Sequence, residues 1–545
     1  MIRYLSVFLM FLTLSNLYYS QEYKYYEYIN ANNVLMWVSS DGRGSHDPHS
    51  NDSGLFWGFD SLGRRLSVVF CDGPVFGYKL RDSIHIQGAT YRGGLNPIPI
   101  APVINDSLPT IAKFARDWKN ESNPDKKATY EIYHQNYPTY LGAPFQDMDG
   151  DGFYNPDIDM PLYHGDETLW WKSEASNGDK TRFLYGSPPA NFEIQTTVWA
   201  EKSRFPDVVY KKYLFINHEP DTMKDFYFGI WVDPDVGYAG DDYIGIDTSL
   251  QMMFAYNGDD FDQTENWGYG DRPASLGYLL LDGPLVPAQN GDTARFGKVL
   301  KLNMMNQTLH SFYPLNKGPI FYDADLGNYA GALQIYNQMK GLHWDGSPIL
   351  NPATNEVTTF PLDGDPIAQT GWYEGNGWLY YSYPGDRRMF MSTGAFNLAP
   401  WDTNCVTFAI CVARDNGRLN SLGKLKQLAR DVKHHWLYEV ERTFPETRVV
   451  ERNEEEIPAS FIISNNYPNP FNNMTNINLE LPQSGNIRIT IYNALGEVVR
   501  EVLKHSPTAG YKSVQINGSG LSSGIYYYTV LFRGETKLSK FVLLK

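Results

Sequence analysis

The stretch NINLELPQSGNIRITIY, Asn476–Tyr492, alternates apolar and polar side chains on both sides of a Pro-Gln-Ser-Gly break. Ile477, Leu479 and Leu481 share one face of an extended chain, and Ile487, Ile489 and Ile491 share one face after the break. That period of two is the signature of half-buried strands. Downstream, SVQIN (Ser513–Asn517), IYYYTVLF (Ile525–Phe532) and the terminal KFVLLK continue it, with Gly496, Gly510, Gly520, Gly524 and Gly534 at the turns. Short alternating strands with frequent turn signals predict an immunoglobulin-like β-sandwich. Upstream lies NNYPNPFNN (Asn465–Asn473), in which Pro468 and Pro470 hold the entry extended and remove donors that could extend the sheet edge.

Charge separates this tail from the rest of the chain. From Phe461 onward there are eight Lys/Arg and four Glu, a net of +4, which leaves −20 of the total −16 on the residues before it. Between the two parts runs ETRVVERNEEEIPAS, Glu446–Ser460, charged and without aromatics. It reads as an exposed linker, because it offers too little apolar surface to offset the entropy of ordering. The net negative charge argues against nucleic acid as a partner.

At the other end, MIRYLSVFLMFLTLSNLYYSQEY places one Arg before the apolar run Leu5–Leu14 and a small Ser20 before Gln21. This pattern predicts a secretory signal peptide over residues 1–20. The 545-residue chain is also too long for one core, since cores stop growing at about 250–300 residues. The expected organisation is therefore a signal peptide at 1–20, a body at 21–445, the linker at 446–460 and the tail at 461–545.

The body reads as mainly β. RRLSVVF (Arg64–Phe70), FEIQTTVWA (Phe192–Ala200), VVYKKYLFIN (Val208–Asn217) and CVTFAICVA (Cys405–Ala413) are β-branched and aromatic runs between turn-rich loops. They predict a large, elaborated β-sandwich. Two stretches break the pattern. Tyr329–Lys340 has the look of a short helix. In Leu419–Val440, Leu422, Leu425, Ala429, Val432, Trp436 and Val440 recur every three to four residues, which predicts a closing helix capped by Asn420 or Ser421. Cys405 and Cys411 sit six apart on one strand, about 20 Å at strand rise and beyond disulfide reach. With Cys71 they read as three buried thiols, although a Cys71 bridge to one of them stays open.

The tail resembles the type A C-terminal sorting domain of the type IX secretion system. The matching marks are YPNPF (Tyr467–Phe471), Pro482 and Gly485, YNALG (Tyr492–Gly496), Ala509 and Gly510, GLSSGIYY (Gly520–Tyr527) and the basic-apolar end Lys540–Lys545. The resemblance implies a Gram-negative bacterium of the Bacteroidetes type. It also implies a chain that crosses the inner membrane on its signal peptide and whose tail, residues 461–545, is read by outer-membrane secretion machinery. In that family the tail is often removed, and the cargo is released or linked to surface lipopolysaccharide. The body is similar to uncharacterised secreted proteins with the same tail, through the Asp-Gly-Asp-Gly loop, WVDPDVGYAGDD, NQMKGLHWDGSPI and GDRRMFMSTGAFNLAPWDT. That likeness implies a shared architecture and no assigned activity.

The sharpest motif in the body is QDMDGDGFYNPDID, Gln146–Asp159. Hard Ca²⁺ takes six to eight oxygens, and a D-x-D-x-D-G loop converges three carboxylates while Gly permits the sharp turn. Asp147, Asp149 and Asp151 are the expected first ligands. The Phe153 carbonyl and Asn155 occupy the next two positions, and Asp157 or Asp159 must close the site because the twelfth position is Ile158. The loop is similar to those of dockerins and thrombospondin type 3 repeats. A solvated acidic turn is the plain alternative. A second acidic run, WVDPDVGYAGDDYIGID, carries Asp233, Asp235, Asp241, Asp242 and Asp247 and is open to both readings. His46, His49 and Asp52 could hold a transition metal but read more simply as solvated loop residues. His434 and His435, adjacent on a helix, point apart. Trp372–Arg388 is aromatic enough to stack on sugars, although core and turn filling explains it as well.

No H-E-x-x-H, G-x-S-x-G, P-loop or Rossmann glycine pattern occurs. The expectation is a secreted or cell-surface protein whose calcium-stabilised body is a binding or adhesion module for an extracellular glycan or another surface ligand. The alternatives are a glycoside hydrolase-like enzyme on extracellular polysaccharide, working through paired carboxylates, and a self-assembling surface-layer component.

Overall fold

The computed structural model describes residues 22–100, 107–149, 151, 153–289, 291–297, 299–315, 321–375, 383–440, 460–463, 466, 471, 474–506 and 509–543. The expected signal peptide, linker residues 446–459, Pro468, Pro470, and residues 376–382 of the aromatic stretch lie outside them. The chain divides into two compact units, Met1–Thr443 and Phe444–Lys545. Strands make up 47% of the described residues and helices 14%, so the mainly β reading holds.

Two large antiparallel sheets build the first unit. One runs, in spatial order, through Tyr26–Ile29, Val34–Ser39, Leu55–Phe59, Arg65–Leu80, Met223–Pro234, Arg388–Leu398 and Leu309–Leu315. The other runs through Ala112–Ala115, Glu167–Glu174, Phe192–Ala200, Val208–Asn217, Thr403–Arg414, Ala274–Asp282, Met252–Asn257 and Asp242–Asp247. Their inner faces meet in an aromatic core. Phe76, Phe226 and Phe228 from the first sheet interleave with Phe192, Phe215 and Phe408 from the second; Phe76 and Phe192 lie edge to face at 5.2 Å. Each fully buried ring of this kind contributes about 1.5–3 kcal/mol.

The outer face of the second sheet is covered too. The helix Arg418–His434 lays Leu422, Leu425, Ala429 and Val432 on it, with Trp436 following in the wider turn His435–Glu439. A strand buried on both faces has no reason to alternate, which explains the unbroken burial from Asn404 to Ala413. Cys71, Cys405 and Cys411 are all buried free thiols.

The helix start departs from expectation. Gly417 is the N-cap at φ +75°, and the Arg418 amide donates to Asp260 Oδ1 at 3.0 Å. Ser421 Oγ instead receives the Asp415 amide at 2.7 Å, and Asn420 donates to the Asn416 carbonyl at 2.8 Å. The cap comes from a loop 158 residues away, so the local pattern could not show it. The short helix Tyr329–Met339 forms as read, its Gly331 amide donating to Asn328 Oδ1 at 3.1 Å.

In the second unit a three-stranded sheet (Ile462–Ile463, Met474–Leu481, Gly510–Asn517) faces a four-stranded one (Val498–Ser506, Gly485–Tyr492, Gly524–Phe532, Glu535–Leu543). Ile477, Leu479 and Leu481 meet Ile487, Ile489 and Ile491 in one core, as the alternation requires. Phe471 is buried edge-on against Phe541 at 5.2 Å and donates its amide to the Val542 carbonyl. Phe471 thereby plugs one end of this core. The strand Val498–Ser506 was not anticipated, because charge interrupts its apolar positions.

Candidate functional site

The acidic loop is held at both ends. Phe145–Gln146 and Met160–Pro161 pair antiparallel beneath it, and Phe145 and Tyr154 pack onto a small core of Phe114, Tyr137, Tyr163 and Trp170. Asp159 is buried; its Oδ1 accepts the Met148 amide at 2.8 Å and its Oδ2 the Asn155 amide at 2.7 Å. Both oxygens thus fix the shape of the loop. Above this staple, Asp147, Asp149 and Asp151 are exposed, with one carboxylate oxygen of each within 4.8 Å of the others. Asp151 Oδ1 accepts the Phe153 amide at 2.7 Å and Asn155 Oδ1 the Asp157 amide at 3.1 Å, which wraps the backbone around the three acids. Partial desolvation, then the neighbouring carboxylates Asp151 and Asp159, holds Asp149 above the ordinary carboxylate range. The structure therefore brings together the first three expected ligands. It places Asp157 at the exposed rim and uses Asp159 as the clamp.

The five aspartates of the second acidic run part company. Asp233 is buried, receives the Tyr91 hydroxyl at 2.7 Å and lies 3.6 Å from Arg388. Burial pushes it up to about 8, and pushes the nearby Asp235 up to about 7. Asp247 faces Lys426 at 3.1 Å and accepts from Ser249 and Leu250; these contacts outweigh its burial and hold it low. Asp241 and Asp242 open a hairpin, Asp242–Asp247 with Met252–Asn257, in which Asp242 stands opposite Asn257. Asp262 is buried beside them and accepts the Tyr238 and Tyr269 amides at 3.1 and 2.7 Å. Asn257 and Asp262 were not singled out in the sequence. Their only signal was the run of turn-forming residues in YNGDDFDQ, Tyr256–Gln263.

The histidine readings resolve simply. His46 lies edge-on to Phe70, and His49 packs against Tyr26 and Trp37. His434 is mostly exposed and His435 mostly covered, yet both reach Glu439, at 3.4 and 3.2 Å. Trp372 is a core residue.

Residues 465–544 match the family described as secretion system C-terminal sorting domain. The chain carries a type IX secretion sorting tail. The sorting tail indicates export to the cell surface or secretion from a Bacteroidetes cell, and it implies contact with the secretion machinery. No curated protein matches the chain. Among solved structures, a polysaccharide lyase is similar at 8% identity and TM-score 0.27, over 95% of this chain and 47% of the lyase. Dimeric latent PorU from Porphyromonas gingivalis is similar at 8% identity and TM-score 0.14, over 69% of this chain and 31% of that one. The sorting-tail protein spans less than half the length of either.

Proposed function

We propose that the body is a calcium-stabilised binding module, carried outside by the sorting tail, that seats an extracellular glycan or another surface ligand. The observation that carries the binding reading is an open cleft of about 560 Å³ lined by Arg43, Tyr91, Arg92, Asp179, Lys180 and Phe183. Its size is that of a small-ligand site. Arg92 lies over the exposed Phe183 ring at 4.4 Å, and Arg43 pairs with Asp41 at 2.9 Å. Aromatic faces of this kind stack on sugar rings, and the Arg and Lys donors suit hydroxyl or carboxylate oxygens. A panel of polysaccharides passed over the full chain should show retention without release of reducing ends. Phe183→Ala together with Lys180→Ala should weaken retention by about tenfold or more, in line with losing one stacked ring and one charged donor.

Calcium enters through the Asp147–Asp151 triad, whose oxygen-only donors fit a hard cation. An ion bound only by the folded state raises its stability, by about 2.7 kcal/mol at 100 times Kd. The thermal midpoint should therefore rise when Ca²⁺ replaces EDTA, and by less in Asp149→Ala/Asp151→Ala. An equal rise in that variant would remove the loop from the account.

Hydrolysis of an extracellular polymer is the second reading. It is favoured by Asp233, whose carboxyl at about 8 keeps a proton near neutral pH and meets the hydroxyl of Tyr91, a cleft residue. Release of reducing ends that stops in Asp233→Asn would establish it over binding.

A further inference from the structure

We infer that Asp241, Asp242 and Asn257, with Asp262 behind them, form a second site for a hard divalent cation of the Ca²⁺ kind, separate from the Asp147–Asp151 loop. The argument rests on oxygens without partners. Among the described residues, both carboxylate oxygens of Asp241, Oδ1 of Asp242 and Oδ1 of Asn257 are buried and accept no hydrogen bond. These side chains are 5%, 0% and 0% exposed. Buried polar groups in native proteins are almost always paired, and an unpaired acceptor bears the full cost of its desolvation. Four such atoms from three adjoining residues are a deficit of donors, and the group that relieves it must be positive or donate.

The pairing of the strands brings two of these residues to one face, and the third is their neighbour in the chain. Asp242 and Asn257 are opposed in the hairpin, so their side chains share a face, and Asp241 precedes Asp242 directly. The Asn257 amide is oriented by its nitrogen, which donates to the Asp259 carbonyl at 3.0 Å. Because a carbonyl can only accept, the Asn257 oxygen is the atom left facing away from Asp259. Asp242 Oδ2 takes the Val236 amide at 3.1 Å, which leaves Oδ1 free to ligate.

Asp262 lies behind these residues with both oxygens taken by the Tyr238 and Tyr269 amides, and the backbone around it admits nothing larger than glycine at Gly237 and Gly268. A Cβ on Gly237 would stand 1.9 Å from Asp262 Oδ2, and one on Gly268 would stand 2.0 Å from Oδ1. Among the described residues, no Lys, Arg or His pairs with Asp241, Asp242, Asp259 or Asp262. The donor chemistry selects the ion: Asp233–Gly270 contains no His or Cys, so soft nitrogen and sulfur ligands are missing and only oxygens remain. Exposed Asp259 leaves an entry route from solvent.

The test uses the full chain with the first loop silenced by Asp149→Asn/Asp151→Asn, substitutions at exposed positions. Native mass spectrometry after dialysis against Ca²⁺ should still find one ion per chain, and Ca²⁺ should still raise the thermal midpoint above its value in EDTA. Adding Asp241→Asn should abolish both effects. In EDTA that variant should melt at or above its parent, because a neutral amide replaces a carboxylate with no partner. A silenced chain that holds no ion, or an Asp241→Asn chain that keeps it, overturns the inference. Should Asp241→Asn not fold, ion retention by the silenced chain still decides the matter. A first loop that binds nothing would instead show as equal Ca²⁺ content in the wild-type and silenced chains, with this site intact.

Discussion

Lys211 carries its ammonium from the second large sheet into the interface, where Asp72 of the first sheet holds it at 2.7 and 2.8 Å and Tyr278 donates to the same carboxylate at 2.6 Å. Burial pulls the Lys211 ammonium below its ordinary value, and Asp72 works against that pull. Gly44 makes the approach possible, since a Cβ there would lie 2.1 Å from Asp72 Oδ1. Removing one partner strands a buried charge, so Lys211→Met should cost about 3–5 kcal/mol in denaturant unfolding. Two other acids set the pH response. Hydrogen bonds from His218, Gln195 and Lys172 outweigh burial and hold Glu193 down at about 2. Its folded value lies below its unfolded one, so its contribution is complete above about pH 4.5 and fades as pH falls through 2. The limit is about 3 kcal/mol. Asp233 runs the other way. With a folded value near 8, the native state binds the extra proton between about pH 4 and 8, and stability declines as pH rises through that window. In EDTA, unfolding followed from pH 5 to pH 9 should show this decline, and Asp233→Asn should make it shallower, leaving the share of Asp235 and the other raised acids.

Among the elements, the closing helix shows how much local pattern can say. Its apolar face was written in the 3.6-residue spacing of Leu422, Leu425, Ala429 and Val432, and those residues are the ones buried. Its cap was not, because Asp260 reaches Arg418 from another loop. Asp260→Ala should therefore destabilise the body by about 0.5–2 kcal/mol, while Asn420→Ala and its exposed neighbours stay within about 0.5 kcal/mol. Urea midpoints of the two variants check the order. Most tail strands were legible for the same reason as the helix face, since they carry their periodicity within eight or nine residues, Val498–Ser506 being the exception. The acidic loop was legible as a D-x-D-x-D triad, but the clamp role of Asp159 depends on two amides that only the folded loop brings to it.

At the scale of the whole molecule, each unit closes its own core, with the tail core built from residues between Phe461 and Leu543 alone. Export and stability should then be separable. A chain ending at Thr443 should fold with the tryptophan bands of its near-ultraviolet spectrum unchanged, since every Trp precedes residue 444, yet remain in the periplasm when cells are fractionated. Appearance of the shortened chain outside the cell would show that the tail is not the export signal. The same separation means that cleft and calcium variants can be scored in the full chain without disturbing delivery.

Composition, alternation and motif order by themselves determined the mainly β class, the closing helix face and the export address. All of these are local features, written within a few residues of one another. The tertiary structure alone decided which charges meet. Asp72 and Lys211 are 139 residues apart, and Asp242 finds Asn257 only through strand register. Desolvation follows the same rule, since Asp233 and Asp247 lie in one acidic run but shift in opposite directions. A carboxylate's chemistry is set by its neighbours in space, and chain order does not record them.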